Sequence, residues 1–174
     1  MNRSLEFVSL GPEHASAIAS YVEEFASAGE REINGYFGKP NWTHTETVAK
    51  LKAWSFGEEL DGWVPSSTLF LISNDRILGN YNLRHELTDA LMIYGGSCGY
   101  SVRPTERRNG YATKMLGHAK RLGKELGLGR MLLTCNPDNT GSVRTIEKNG
   151  GVLQDVAYNE DIGSDVARYW INLH

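Results

Sequence analysis

Residues 101–116 read SVRPTERRNGYATKML, and how this stretch is divided decides the fold. Val102 closes an apolar, strand-like run that starts at Ser97, and Pro104 ends it, because a proline has no N–H to give a neighbouring strand. Glu106-Arg107-Arg108-Asn109 is polar throughout. From Gly110 to about Leu126, Ala112, Met115, Leu116, Ala119, Leu122 and Leu126 recur at helical spacing. The stretch therefore reads as a strand, a charged loop and a helix. A helix N-terminus presents unpaired N–H groups and the positive end of the helix dipole. Gly110 lets an anion approach the backbone, Arg107 and Arg108 can fork onto phosphate oxygens, and small Ala112 leaves room on the first turn. These features suit a pyrophosphate; a loop of merely solvated arginines is the competing reading.

Working outward, Gly127 and Gly129 stop the helix, and RMLLTC (residues 130–135) is a buried strand bounded by Asn136-Pro137. A helix spans about Asn139 to Asn149 and ends at Gly150-Gly151, followed by strands over Val152–Tyr158 and Val166–Leu173. On the N-terminal side, Leu5–Leu10 alternates as an edge strand and Pro12 opens a helix to about Ala28. Residues 29–44 are irregular and aromatic, and Thr45 can cap a second helix carrying Val48, Leu51 and Trp54. Ser67–Ser73 and Ile77–Leu83 form a hairpin across Asn74-Asp75-Arg76, and a short helical stretch runs from Leu87 to Tyr94. The order β, α, α, three strands, α, β, α, β, β predicts one mixed α/β domain over residues 1–174.

The chain's 174 residues are enough for a sizeable core, and a net charge of −3 confines any basic function to a local patch, so no nucleic-acid partner is expected. No window approaches the roughly 20 apolar residues of a membrane helix, and the first residues lack a secretory signal, so a cytoplasmic location is expected. The glycosylation sequons at Asn2 and Asn41 are then chance matches. Cys98 and Cys135 lie in apolar runs without metal-ligand spacing; they read as core thiols, and no metal site is expected. Two other phosphate motifs fail. GHAKRLGK (residues 117–124) has five residues between its glycines and no Ser or Thr after Lys124, and Gly127-Leu128-Gly129 leads into a strand.

Arg107-Arg108-Asn109-Gly110-Tyr111-Ala112, as R-x-x-G-x-A, resembles the acyl-CoA pyrophosphate motif of the GNAT superfamily of N-acetyltransferases. Residues 136–150, NPDNTGSVRTIEKNG, resemble that superfamily's last motif, in which an Asn and a Ser precede an E-K-x-G ending. Together the motifs cover about residues 97–158. The resemblance implies the acyl-CoA N-acyltransferase fold of α/β class, a mixed, mostly antiparallel twisted sheet with a splayed central strand pair flanked by helices. GNYNLRHELTD (79–89) and GGSCGYSVRPTERRNGYATKML (95–116) look like a bacterial branch of mostly unassigned substrate.

The resemblance further implies transfer of an acetyl group from acetyl-CoA to a primary amine by direct attack, with a homodimer left open. It assigns the backbone of Tyr100, Ser101 and Val102 to the pantetheine arm, a backbone N–H near Tyr100 to the oxyanion, and Arg107, Arg108, Asn109, Gly110, Tyr111, Ala112 and Thr113 to the pyrophosphate. Asn136 and Asn139 can cap their helix or hydrogen-bond the pantetheine, and the two roles are compatible, since an N-cap side chain faces that end. Some relatives carry a catalytic carboxylate where this chain has Gly96, which leaves His85, Glu86 and Asp89 as candidate bases, His85 first by its ordinary titration range. His14, His44, His118 and His174 read as solvated. Ile146 stands where many relatives place a tyrosine acid, and Ser142, one turn earlier, is its substitute toward the leaving thiolate. The acceptor belongs against the 29–65 segment, where Tyr36, Phe37, Trp42, Trp54 and Trp63 concentrate and where Glu30, Glu32, Glu58 and Glu59 would favour a cation if they face it. Two alternatives are a non-catalytic acyl-CoA-binding module and an unrelated enzyme of a phosphate ligand.

Overall fold

The computed structural model describes residues 4–174. Its elements in chain order are β1 (Glu6–Val8), α1 (Ala15–Ser27), α2 (His44–Ser55), β2 (Ser66–Ser73), β3 (Arg76–Arg84), α3 (Asp89–Ile93), β4 (Cys98–Val102), α4 (Tyr111–Glu125), β5 (Arg130–Cys135), α5 (Thr140–Lys148), β6 (Val152–Asn159) and β7 (Ser164–Asn172). Pro12–His14 forms a single 3-10 turn that leads into α1. The cap of α2 is Thr43, two residues before the expected Thr45. The Thr43 hydroxyl accepts from the Glu46 N–H at 3.2 Å, and the Glu46 carboxylate accepts from the Thr43 N–H at 2.7 Å. This reciprocal pair satisfies two donors that Thr45, inside the first turn, would leave open.

The strands form two antiparallel sheets, ordered β1-β2-β3-β4 and β5-β7-β6. The β2–β3 hairpin turns through Asn74 (φ 49°) and Asp75 (φ 61°), both left-handed, which matches the twist of the flanking strands. The chain's last strand, β7, inserts between β5 and β6, so β6 ends up as an edge.

β4, α4 and β5 make a β-α-β unit whose strands meet at one end only. The Ser97 N–H donates to the Leu132 carbonyl at 2.7 Å, and the Leu132 N–H donates to the Ser97 hydroxyl at 3.0 Å. Among the described residues, no hydrogen bond joins β4 to β5 beyond that point. The pair therefore forms a fork, closed at Ser97 and open toward Val102 and Cys135.

Two apolar clusters hold the layers. One lies between the strands and α4 and α5, built on Leu71, Tyr81, Leu83, Met115, Leu116 and Met131. The other lies under α1 and α2, built on Ile18, Tyr21, Phe25, Leu51, Trp54 and Phe70. Full burial of a side chain such as Met115 contributes about 2 kcal/mol. The buried stripe of α4 is Tyr111, Met115, Leu116, Ala119 and Gly123, whereas Leu126 is the residue after the helix and is exposed. Cys98 and Cys135 are free thiols in the first cluster, as expected.

Candidate functional site

The open end of the fork is anchored by a buried cation. Arg103, just past β4, is 1% exposed and donates from Nε to the Ile77 carbonyl at 2.7 Å and from Nη1 to the Glu24 carboxylate at 2.7 Å. Glu24, on α1, also accepts from the Thr105 N–H at 2.9 Å and the Thr105 hydroxyl at 2.7 Å. Burial works to raise the Glu24 carboxyl, but the Thr105 bonds and then the Arg103 bond and charge outweigh it and hold the group at about 2. Neither residue has a sequence signature; an arginine at the end of a strand reads as exposed until its partner from α1 is known.

From this anchor the backbone turns twice. Arg108 (φ 67°) and Gly110 (φ 76°) are both left-handed, and Gly110 is the N-cap residue of α4 with no side chain capping the helix. A Cβ on Gly110 would meet no atom within 4 Å, so glycine is required by backbone conformation and not by crowding. Arg107, although exposed, is tied to the fold. Its Nε donates to the Val102 carbonyl at 3.2 Å, its Nη2 donates to Glu30 at 2.8 Å, and its guanidinium lies 5.7 Å from the Phe25 ring centroid. Glu30's bond to it, with their opposite charges, lowers the Glu30 carboxyl against a smaller effect of burial. Arg108 is exposed, and among the described residues no ion pair holds it. The structure thus divides labour between the two arginines that the spacing treats alike.

The Arg103 N–H bonds the Leu78 carbonyl on β3. Peptide groups alternate sides along a strand, so Tyr100 and Val102 turn their N–H and C=O toward β5, into the fork. The far prong ends in Asn136 and Asn139. Asn136 Oδ1 accepts from the Asp138 N–H at 2.8 Å, and Asn139 Oδ1 accepts from the Ser142 N–H at 3.1 Å, which makes Asn139 the cap of α5. The Tyr100 hydroxyl is buried with no partner in full hydrogen-bonding geometry. Burial raises its phenol, while the nearby Ser142 hydroxyl and, further down, that of Thr145 oppose the rise. Asn149 ties the two helices by donating to the Thr113 carbonyl at 3.3 Å and the Thr145 carbonyl at 2.9 Å. Tyr100, Ser101, Val102, the 107–113 loop, Asn136, Asn139 and Ser142 are therefore gathered at the open end.

His85 and Glu86 are not gathered there. Leu83 pairs with Cys98, so His85 stands level with the closed end, about four residues or 13 Å along the strand from Tyr100. Its Nε2 lies 2.9 Å from the Ser67 hydroxyl, and burial lowers its pKa against a smaller opposite effect from Glu86, which is exposed. The closed end also explains Gly96. At φ 60°, a Cβ there would come within 2.4 Å of the Leu132 carbonyl oxygen, so no carboxylate can occupy the position. Arg84, missed by sequence reasoning, holds this turn: its Nη1 donates to the carbonyls of Gly95 at 2.8 Å and Gly96 at 2.9 Å.

Three histidines expected to be solvated are packed instead. His118 stacks on Phe7 at 3.9 Å between centroids, and its Nδ1 lies 2.7 Å from the Tyr81 hydroxyl. His14 accepts from the Gly11 N–H at 2.9 Å, and His44 Nε2 lies 2.8 Å from the Gly11 carbonyl. The turn before α1 recruits both, which spacing along one helix could not reveal. Only His174 remains exposed.

On the far side of β4, Phe37, Trp42, Trp54 and Trp63 form one aromatic cluster of edge-on, tilted and stacked rings with neighbouring centroids 5.3–6.2 Å apart. Trp54 is core, whereas Trp63 is 52% exposed. Asn80 Nδ2 fastens the overlying segment by donating to the Asn34 carbonyl at 3.1 Å. Two of the four candidate acids are already neutralised, Glu30 by Arg107 and Glu59 by Lys50 at 2.7 Å. Glu32 and Glu58 are exposed. Among the described residues, no helix is long and apolar enough to cross a membrane, and no group of three His, Cys, Asp or Glu is placed to hold a metal ion.

A family model described as an acetyltransferase (GNAT) domain matches residues 5–152. An N-acetyltransferase structure from Staphylococcus aureus Mu50 aligns with a TM-score of 0.67 at 17% identity, covering 98% of this chain and 99% of that one. A GNAT-family acetyltransferase from Streptococcus pneumoniae gives 0.67 at 16% identity over 98% and 100% of the two chains. The microcin C7 self-immunity acetyltransferase MccE, solved with acetyl-CoA and AMP, gives 0.66 at 15% identity over 98% and 93%. At these identities the likeness speaks for the fold. No curated protein matches the chain by sequence.

Proposed function

Because this chain belongs to the GNAT acetyltransferase family, we propose that it is an N-acetyltransferase that moves an acetyl group from acetyl-CoA to a primary amine of a small molecule or a protein N-terminus. The observation that carries this reading is the fork. Its open end joins inward-turned peptide groups at Tyr100 and Val102 to an uncapped helix N-terminus entered through left-handed Gly110. Such a terminus suits a pyrophosphate, with Arg108 adding charge, while Arg107 keeps the loop in place. In this reading the pantetheine arm runs along residues 100–102 and against Asn136 and Asn139, and the reaction takes place in a cytoplasmic domain made by residues 1–174.

In this reading the amine nitrogen attacks the thioester carbonyl, the C–S bond then breaks, and the nitrogen loses a proton while the sulfur gains a hydrogen bond or a proton. The Tyr100 N–H supplies the oxyanion contact, and the Ser142 hydroxyl donates to the departing thiolate. His85, with Glu86 beside it, is the candidate base, but from the closed end, about four residues along the strand from Tyr100, it can take the amine proton only through a relay of ordered water. Most of the rate comes from holding amine and thioester together. Ser142→Ala is expected to lower kcat and kcat/KM together while acetyl-CoA affinity holds. His85→Gln is expected to remove an acidic limb from the pH profile of kcat/KM, because a protonated imidazole cannot accept the amine proton. With the His85 pKa lowered by burial, that limb falls below the ordinary histidine range. A limb that survives the substitution makes His85 structural.

Gly96 and Ile146 favour a second reading, an acyl-CoA-binding module without chemistry, since neither position offers an acid or base. Both readings predict a higher Tm with acetyl-CoA. Release of free CoA thiol across a panel of amines, followed continuously, separates them: release with some amine supports the enzyme, and none with any amine supports the module. A nucleotide that binds the chain when neither CoA nor acetyl-CoA does would defeat both.

A further inference from the structure

The face of β3 turned toward α1 and the 29–44 segment carries a row of buried polar side chains. Asn80, Asn82 and Arg84 occupy it at alternate positions and are 0%, 0% and 8% exposed. Asn80 is fully used: its Oδ1 accepts from the Tyr21 hydroxyl at 2.7 Å, and its Nδ2 donates to the Asn34 carbonyl. Asn82 is not. Its Nδ2 donates to the Thr68 hydroxyl at 3.0 Å, while its Oδ1 is buried without a partner. A carbonyl oxygen left open in the interior is an acceptor with room for a donor. Its place ties it to the reaction. Asn82 pairs with Gly99 across β3 and β4, with about 5 Å between Cα atoms, and Gly99 precedes the Tyr100 N–H of the oxyanion contact. Gly99 brings no side chain to this face. What covers it is the exposed Asn34, whose Oδ1 lies 2.5 Å from where a Cβ on Gly99 would stand.

The charges around this spot do not suit an ammonium. Arg84 stands one alternate position along the same face, about 7 Å away. It donates to the carbonyls of Gly95 and Gly96, and among the described residues no carboxylate pairs with it. β2 contributes the neutral Ser66 and Thr68. Tyr21 of α1 and Tyr36 of the segment are phenols that burial pushes up and so keeps neutral. Glu24 is paired with Arg103, Glu30 with Arg107, and Glu59 with Lys50 of α2, whose His44 bonds the Gly11 carbonyl. Arg31, Glu32, Lys39 and Glu58 are exposed, and His85 lies on the opposite face, with Leu83. We propose that this face takes the acceptor amine uncharged, with one N–H on the Asn82 oxygen in place of the Asn34 side chain, and that the acceptor is accordingly a weakly basic primary amine, the α-amine of an aminoacyl amide or peptide, rather than an alkylamine or polyamine. A neutral N–H satisfies Asn82, whereas an ammonium would be buried beside an unpaired guanidinium. The nitrogen attacks with a lone pair already free. One of its protons leaves after the C–N bond has formed, as the C–S electron pair goes to sulfur.

The inference rests on the acetyltransferase reading, and thiol release from acetyl-CoA with two probes tests it. Alaninamide offers an α-amine that titrates near 8, and butylamine offers a lysine-like amine that titrates at about 10.4. At about pH 7.5 the uncharged fraction of the first is about two hundred times that of the second; the more basic amine is the better nucleophile and regains part of this, so alaninamide should lead in kcat/KM by about tenfold or more. Between about pH 6 and pH 9.5, kcat/KM should level off near 8 for alaninamide and keep rising for butylamine, because each limb follows its own amine. The His85 limb, lowered by burial, falls below both. Asn82→Leu should lower kcat/KM for alaninamide about tenfold, as for one lost hydrogen bond to a desolvated group, with acetyl-CoA affinity unchanged. Release from both amines with one shared limb, or with butylamine ahead at neutrality, overturns this inference and leaves the acetyltransferase reading standing; these wild-type profiles decide it even where Asn82→Leu does not fold. A folded Asn82→Leu variant that turns alaninamide over normally removes Asn82 from the site. No release with either probe or any other amine overturns the acetyltransferase reading itself.

Discussion

The two sides of β4 are built by different means. On the side of α4, the arrangement is a matter of backbone: two left-handed residues, an uncapped helix terminus, alternating peptide groups and one buried ion pair that holds the loop's root. On the other side, the 29–65 segment presents an aromatic cluster whose members come from an irregular loop, α2 and the stretch before β2. A ligand's invariant phosphate chemistry can be met by peptide groups, which any side chain may decorate, and a short motif then suffices. A wall that must fit one acceptor is made of side chains, whose placement depends on everything packed behind them.

The largest effect that would sharpen this contrast is expected at Glu24. Glu24→Ala leaves Arg103 buried without its carboxylate, and breaking such a pair costs about 3 kcal/mol, at the low end of the range because Glu24 is partly exposed. For a chain of this size that lowers Tm by roughly 6–12 °C. The same ion pair gives a pH dependence with a definite sign. The Glu24 carboxyl is depressed to about 2 in the fold from an ordinary 4.5. Its stabilisation is therefore complete above about pH 4.5 and is lost as pH falls toward 2, a loss on the order of 2 kcal/mol after allowance for solvent screening. Unfolding in denaturant at a series of pH values measures it, and Glu24→Ala should flatten the slope in that window.

Gly110→Val comes next. A branched residue in a left-handed conformation costs about 1–2 kcal/mol, and the added methyls meet whatever the first turn of α4 binds, so acetyl-CoA affinity should fall by roughly thirtyfold or more. Calorimetric titration of the folded variant is the check; normal affinity would mean that the helix terminus is not the anion site. Smaller still is the split between the arginines. Arg108→Ala should weaken CoA about tenfold, as for one lost charge-assisted contact, and leave the affinity of unphosphorylated pantetheine nearly unchanged. Arg107→Ala should lose less, because its guanidinium is held by Glu30 and the Val102 carbonyl. Equal losses would erase the distinction. The smallest effect belongs to the aromatic wall. Trp63→Ala should raise KM for the amine a few-fold while acetyl-CoA affinity holds, and a change in acetyl-CoA affinity instead would tie the two sides together.

The same contrast explains what was legible. Strand 97–103, the charged loop and the helix after Gly110 could be read because proline, glycine and a helical period each have one local physical meaning. The split roles of Arg107 and Arg108 could not, since Glu30 lies 77 residues away in sequence. Gly96 looked like a missing carboxylate, but it is a glycine because the Leu132 carbonyl occupies the space of a side chain. The insertion of β7 between β5 and β6 leaves no trace in periodicity, because both neighbours accept the same alternation. His118 looked solvated on its helix because nothing in α4 announces that Phe7 from the chain's first strand will cover it.

The fork has a consequence for proton exchange. Ser97 and Leu132 lock their amides to each other across the closed end, whereas the inward-facing amides of Tyr100 and Val102 have no strand to bond. Within one strand, then, neighbouring peptide protons live on different clocks: those facing β3 wait for the sheet to open, and those facing the fork trade with solvent directly. An extended arm with its own amides, laid between the prongs, would act as the missing strand and bring the two clocks together.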